Sequence, residues 1–97
     1  LESWASAGIP DILGYSDKTG FFTIELKVTS SNKIRFSPHQ IAFHYKHPKG
    51  SYILVKTHAP RAIKLYPGSA IKELVAYGPT HPPVAEGWDA CRLLLEA

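Results

Sequence analysis

The chain lacks methionine altogether, contains a single cysteine and has no long apolar run. One cysteine, Cys91, cannot form an internal disulfide, and this usage fits a reducing compartment. No apolar stretch approaches the ~20 residues of a helical membrane span, so no membrane partner is expected. The missing methionine predicts that the chain starts inside a longer reading frame or has been trimmed. We expect one cytoplasmic domain spanning residues 1–97, lacking part of an N-terminal helix.

Acidic residues are missing from the middle of the chain. No Asp or Glu lies between Leu26 and Lys72, yet this stretch holds nine of the eleven Lys and Arg residues and four of the five histidines. A basic segment of this kind is typical of a surface that binds a phosphate backbone. The alternative is a solvated basic face that only keeps the protein soluble. The residues expected to contact nucleic acid are Lys33, Arg35, His39, His44, Lys46 and Lys49.

Apolar and polar residues alternate over residues 21–28. Successive side chains of a strand point to opposite faces, so one face is wholly apolar and suits a core. That face would comprise Phe22, Ile24, Leu26 and Val28. The other face would bring Glu25 and Lys27 side by side. Residues 9–15 predict a second strand and residues 16–20 a turn, so an antiparallel hairpin would place Asp11 across from this pair.

The rest of the chain predicts alternating helices and strands. Ser37 as N-cap and Pro38 at the first helical position predict a helix that runs to about His47. Strands are expected over residues 51–57 and 62–66, helices over 69–77 and 88–96, and a Pro-rich loop over 78–87. This order predicts an α/β (α+β) domain with a mixed central sheet flanked by helices.

The predicted helix after Ser37 has two faces. Residues four apart share a side of a helix, so Ile41 and Tyr45 are expected to face the core. The opposite, polar side would carry Gln40, His44 and His47. Clustered histidines can form a transition-metal site, but no cysteine or second cluster completes a tetrahedral set. Surface or phosphate-facing histidines are therefore the favoured interpretation.

Two short motifs together resemble the PD-(D/E)XK nuclease superfamily. They are the Pro-Asp pair that ends at Asp11, preceded by Gly-Ile, and the Glu-Leu-Lys motif over residues 25–27. The Ser-Pro-His-Gln start of the next helix adds a glutamine, Gln40, that several members carry near the active site. The match is most similar to archaeal-type and phage Holliday junction resolvases, and also to virus-type replication-repair nuclease domains. It covers about residues 8–55.

The resemblance implies a restriction-endonuclease-like fold and a metal-dependent site. Mg²⁺, for which Mn²⁺ would substitute, is expected to bind Asp11, Glu25 and the main-chain carbonyl of Leu26. Lys27 would neutralise charge on the phosphate or orient the attacking water.

Two further residues have less defined roles. Gln40 would position the phosphate or hydrogen-bond the lysine, unless it is an ordinary solvent-facing glutamine. Members often carry another catalytic glutamate on the first helix, for which Glu2 is the candidate.

The expected activity is that of a Mg²⁺-dependent endodeoxyribonuclease acting in DNA recombination or repair. One expected setting is a phage-encoded enzyme that works in the host cytoplasm. A four-way (Holliday) junction is the expected substrate, and two symmetric cuts in it imply a homodimer. The first alternative is a nuclease of the same fold that cuts flaps, nicks or single strands. The second is a non-catalytic, basic DNA-binding protein in which the charged residues form only a surface cluster.

Overall fold

Residues 10–97 are described in the structure, which is a computed structural model. Five strands form one sheet: β1 (Ile12–Ser16), β2 (Gly20–Thr29), β3 (Ser51–His58), β4 (Arg61–Pro67) and β5 (Ala85–Glu86). Three α-helices accompany them: α1 (Pro38–Lys46), α2 (Ile71–Tyr77) and α3 (Trp88–Glu96). The expected α+β architecture with a mixed sheet is confirmed. Glu2 and the helical stub predicted over residues 1–7 lie outside the described residues.

The strands follow one another across the sheet in chain order. β2 and β3 are parallel, whereas the β1–β2, β3–β4 and β4–β5 pairs are antiparallel. Parallel neighbours need a crossover connection, and here α1 provides it. The crossover lays α1 over the sheet face that carries Glu25 and Ser51, which Gln40 and His44 of α1 contact.

Two element boundaries differ from the sequence-based expectation. The helix expected over residues 69–77 is a 3-10 turn (Gly68–Ala70) followed by α2. The segment expected to be a loop over residues 78–87 contains the two-residue strand β5, which pairs with β4. Two residues carry too little alternation to reveal a strand, so only the pairing with β4 defines it.

The main core lies on the sheet face opposite to the one predicted. Register pairs Glu25 with Ile53 and Lys27 with Val55, so these four side chains share a face. Over the described residues the core cluster consists of Ile34, Ile53, Val55, Tyr66, Ala70, Ile71 and Leu74. The expectation of a core on the apolar face of β2 is confirmed only in part. Ile24, Leu65 and Cys91 are buried on that face, but the larger cluster lies on the Glu25 face, where the neighbouring strands and α2 supply the apolar side chains.

The apolar face of β2 is only partly covered. Ile24 is buried, but Leu26 and Val28 are 45% and 66% exposed. α3 packs against this face through Cys91, which is buried, and Leu95, which is half-buried. Among residues 10–97, no helix has the length and hydropathy required to cross a lipid bilayer.

The orientation of α1 matches the expectation only in part, because Ile41 packs against the core cluster as predicted. Tyr45, predicted to face the core, is 63% exposed, whereas His44, predicted on the polar side, is fully buried. The helix turns this way because Gln40 and His44 both form hydrogen bonds towards the sheet, to Glu25 and Ser51. Polar contacts to the sheet therefore outweigh the burial of one tyrosine ring in setting the rotation of α1.

Candidate active site

The hairpin register brings Asp11 to Glu25. Ile12 pairs with Ile24 in antiparallel β1 and β2, so Asp11, one residue before β1, lies opposite Glu25. The main-chain N–H of Leu26 donates a hydrogen bond to Asp11 Oδ2 (2.8 Å). This bond fixes the Asp11 carboxylate against β2, at the position where the Glu25 side chain leaves the strand.

Glu25 is a buried carboxyl with a strongly shifted pKa. Its side chain lies beneath α1, and the residue is only 2% exposed. Burial first, and the negative charge of Asp11 second, raise the pKa of Glu25 to about 7, while Lys27 opposes the shift. The Lys27 ammonium alone does not offset both the burial of Glu25 and the negative charge of Asp11. Additional positive charge beside Glu25 would therefore stabilise its ionised form.

The side-chain amide of Gln40 joins Glu25 to Lys27. Gln40 Nε2 donates to Glu25 Oε2 (3.1 Å), and Lys27 Nζ donates to Gln40 Oε1 (2.9 Å). The Lys27 ammonium also lies 5.0 Å from the centre of the Phe36 ring, a cation–π contact. Asp11, Glu25, Gln40 and Lys27 thus form one connected group, which we call the polar cluster.

The start of α1 holds Gln40 in place. Ser37 is the N-cap, and its Oγ accepts from the Gln40 main-chain N–H (3.2 Å). Gln40 Oε1 in turn accepts from the Ser37 main-chain N–H (3.0 Å), which completes a capping box. Gln40 Oε1 therefore accepts from both the Ser37 main-chain N–H and Lys27 Nζ, so the start of α1 and the polar cluster share one residue.

The structure brings together four of the side chains selected from sequence, namely Asp11, Glu25, Lys27 and Gln40. The solvent-facing alternative for Gln40 is excluded by its two contacts. The sequence did not identify Phe36 or the capping role of Ser37 towards this cluster. The Ser-Pro-x-Gln spacing was the available signal for Ser37, because a Gln at the third helical position is typical of a capping box.

The carboxylates of Asp11 and Glu25, with the main-chain carbonyl of Leu26, form a set of oxygen donors suited to a hard cation. Among residues 10–97, no group of three or more His, Cys, Asp or Glu side chains is arranged to hold a metal. Mg²⁺ needs fewer protein ligands than that, since it retains several waters and often binds through one or two carboxylates plus substrate phosphate. Asp11, Glu25 and the Leu26 carbonyl could hold it, and a cation there would offset the charge that burial leaves uncompensated.

A basic groove begins at the polar cluster. Its volume is about 490 Å³, and it is lined by Lys27, Lys33, Arg35 and residues 28–31. The Thr29 hydroxyl donates to the carbonyl of Lys33 (2.6 Å) and accepts from the N–H of Ser31 (3.2 Å). These local bonds shape the loop that carries Lys33. The groove therefore carries three basic side chains, and hydrogen bonds within residues 29–33 hold the loop that forms part of its wall.

Five of the six residues expected to contact nucleic acid are exposed, namely Lys33, Arg35, His39, Lys46 and Lys49. His44 is the exception, and its assignment as a nucleic-acid contact was wrong. Its ring is fully buried between α1 and the sheet, with Nδ1 3.3 Å from Ser51 Oγ. A side chain with no exposed surface cannot touch a bound strand.

No family model, curated protein or solved structure matches this chain. The geometry of the polar cluster and of the basic groove beside it therefore indicates the function.

Proposed function

We propose that this protein is a metal-dependent endonuclease that hydrolyses DNA phosphodiester bonds at the polar cluster. The observation that carries the proposal is the connected arrangement Asp11, Glu25, Gln40 and Lys27, with two carboxylates on one side of an amide and an ammonium on the other. Metal-assisted cleavage of a phosphodiester uses both signs of charge, because carboxylates hold the cation and an ammonium offsets charge on the same phosphate. The resemblance to PD-(D/E)XK nucleases supports the same conclusion.

Each residue has a distinct task in the proposed reaction. Asp11, Glu25 and the Leu26 carbonyl would hold Mg²⁺, which supplies Lewis-acid chemistry at the phosphate when bound. Lys27 offsets the negative charge that builds on the phosphate as the nucleophile attacks. Gln40 orients Glu25 and Lys27 relative to each other, because its amide donates to one and accepts from the other.

The basic groove supports a polyanionic substrate. Lys27 belongs both to the polar cluster and to the groove, so a strand bound along Lys33 and Arg35 would lead to the reacting centre. Lysine and arginine contacts to phosphates position a nucleic acid without reading its sequence. We therefore propose a substrate recognised by shape, with a four-way DNA junction as the specific candidate and a twofold homodimer as the form that cuts it symmetrically.

A cleavage assay with single substitutions tests the site. Asp11→Asn, Glu25→Gln and Lys27→Ala are each expected to lower the Mg²⁺-dependent cleavage rate by about 100-fold or more. The matched control is Asp17→Asn, which alters an exposed carboxylate in the β1–β2 turn and should cleave as wild type does. Unchanged cleavage by Glu25→Gln or Asp11→Asn would refute the site.

A panel of labelled DNA structures tests the substrate. Four-way junctions, flaps, nicked duplexes and single strands are compared with Mg²⁺ and with a chelator, and the dimer is measured by sedimentation equilibrium. Paired, symmetric cuts in junctions by a dimeric species support junction resolution. Cuts confined to flaps or single strands would reject the four-way junction as substrate but agree with a nuclease of another specificity. Binding without any cleavage would reject the proposed enzymatic activity.

A further inference from the structure

Three buried polar atoms lack a hydrogen-bond partner within residues 10–97, and all three belong to the layer between α1 and the sheet. They are Thr23 Oγ1, Glu25 Oε1 and His44 Nε2. A buried polar atom without a partner costs about 1–3 kcal/mol, so native proteins rarely keep several such atoms together. Three in one layer indicate a shared partner.

The contacts around these atoms make the three residues neighbours in this layer. Thr23 and Glu25 are two residues apart on β2 and point to the same face. Ser51, which pairs with Thr23 in the register, lies 3.3 Å from His44 Nδ1. One helical turn separates His44 from Gln40, whose amide donates to Glu25. These contacts put Thr23, Glu25 and His44 between α1 and the same face of β2 and β3.

The hydrogen-bonding of Ser51 determines which nitrogen of His44 carries the proton. Ser51 Oγ donates its proton to the main-chain carbonyl of His47 (2.5 Å), so His44 Nδ1 must donate to Ser51 Oγ. Burial, assisted by the charge of Lys27, lowers the pKa of His44 and keeps the ring neutral. Nε2 is therefore an acceptor that needs a donor.

The requirements of the three atoms match those of one water molecule. When Glu25 is ionised, Glu25 Oε1 and His44 Nε2 each need a donated hydrogen, and the Thr23 hydroxyl has a hydrogen to give. A water molecule supplies two hydrogens and accepts one, and buried waters typically make about three such bonds. A single water therefore satisfies every atom that the protein leaves without a partner.

We propose that Thr23, Glu25 and His44 bind a buried water molecule, and that through it His44 is a positioning residue for the Glu25 carboxylate. With Gln40 on Oε2 and the water on Oε1, both oxygens of Glu25 are held, and each oxygen retains a second lone pair for other ligands. The positioning role rests on the proposed function, whereas the water site does not.

Crystallography tests the water site directly. In a structure at about 1.5 Å resolution, wild-type protein should show one density peak within hydrogen-bonding distance of Thr23 Oγ1, Glu25 Oε1 and His44 Nε2. His44→Leu should lose the peak. Direct bonding among the three side chains, or a peak that contacts only one of them, would overturn the site.

Mn²⁺ affinity, followed by electron paramagnetic resonance, tests the positioning role. His44→Leu should weaken Mn²⁺ binding about 10-fold, in the range seen when partners of metal ligands are removed. His44→Gln should restore affinity to within about 3-fold, because its amide can still bond at the position of Nε2. The matched control is His47→Leu, which changes an exposed histidine of the same helix end and should bind as wild type does.

The outcomes separate this inference from the proposed function. Wild-type Mn²⁺ affinity in His44→Leu would overturn the positioning role even if the enzyme is a nuclease. Equal Mn²⁺ binding by wild type and Glu25→Gln would instead refute the metal site, and with it both the proposed function and the positioning role. The density peak decides the water site in either case.

Discussion

At the scale of single residues, Gln40 links the two charged ends of the polar cluster and also caps α1. Substitutions can separate these two roles. Gln40→Ala removes the bonds to Glu25 and Lys27, so we expect cleavage to fall by about 10- to 100-fold, in line with the loss of a partner that orients a metal ligand. The capping-box bond to Ser37 is lost as well, and stability should fall by about 1 kcal/mol.

Ser37→Ala provides the matched control for this prediction. It removes the side-chain half of the capping box, while the Ser37 main-chain N–H still bonds to Gln40 Oε1. The free energy of unfolding in urea should drop by about 1 kcal/mol, and the cleavage rate should change by less than about 2-fold. Equal loss of activity in Ser37→Ala and Gln40→Ala would mean that helix stability, not the amide bridge, matters for cleavage.

The pKa of Glu25 predicts how the stability of the metal-free protein depends on pH. The folded-state pKa of about 7 lies above the ordinary value of 4.5 for a glutamate, so the folded state binds more protons over this interval. Stability is therefore full below about pH 4.5 and declines as the pH rises through 7, by about 3 kcal/mol from this group. Chemical denaturation in the presence of a chelator should show the decline.

Two comparisons isolate this effect from other titrating groups. Glu25→Gln should remove the decline, because an amide does not titrate. Saturating Mg²⁺ should restore stability above pH 7 in wild type but not in Glu25→Gln, since ligands that bind only the folded state stabilise it. Identical pH profiles for the wild type and Glu25→Gln would contradict the shifted pKa.

At the scale of elements, the 3-10 turn before α2 fits closely against the start of β3. A Cβ atom added to Gly68 would collide with Ser51 Oγ, the group that His44 Nδ1 contacts. Gly68→Ala should therefore destabilise the fold by about 1–3 kcal/mol through overpacking, measured by urea denaturation. Ser69→Ala, at the exposed neighbouring position, should stay within about 0.5 kcal/mol of wild type.

The helix over residues 38–46 illustrates how far sequence can specify an element. Its start was predicted by Ser37 and Pro38, because capping depends on residues next to one another in the chain. Its rotation was predicted only in part, because Ile41 packs against the core as expected but Tyr45 is exposed and His44 is buried. The bonds that turn Gln40 and His44 inward are made to β2 and β3, which are distant in sequence.

At the scale of the whole molecule, the charge map predicts how DNA binding responds to salt. Lys33 and Arg35 line the basic groove, so Lys33→Ala and Arg35→Ala should each reduce the slope of log affinity against log salt concentration by about 1. Lys56 is a matched control from the same acid-free stretch, because it is exposed on the opposite face of the sheet. Fluorescence anisotropy at several salt concentrations measures the slopes.

The Lys56→Ala protein should keep the wild-type slope. Equal reductions for Lys56→Ala and Lys33→Ala would indicate diffuse electrostatic attraction rather than a strand lying in the groove. The experiment uses protein without added metal, so that binding is measured apart from cleavage.

The sequence by itself determined the local features of this protein. Alternation put Glu25 and Lys27 on one face of β2, turn composition set the hairpin that carries Asp11 to them, and the capping box began α1, because each depends on residues close together in the chain. Tertiary structure decided which sheet face is buried, that Gln40 joins the two charges, and that His44 lies inside. Those outcomes depend on strand pairing and helix packing between distant segments, where a polar side chain is buried only if another element supplies its partner.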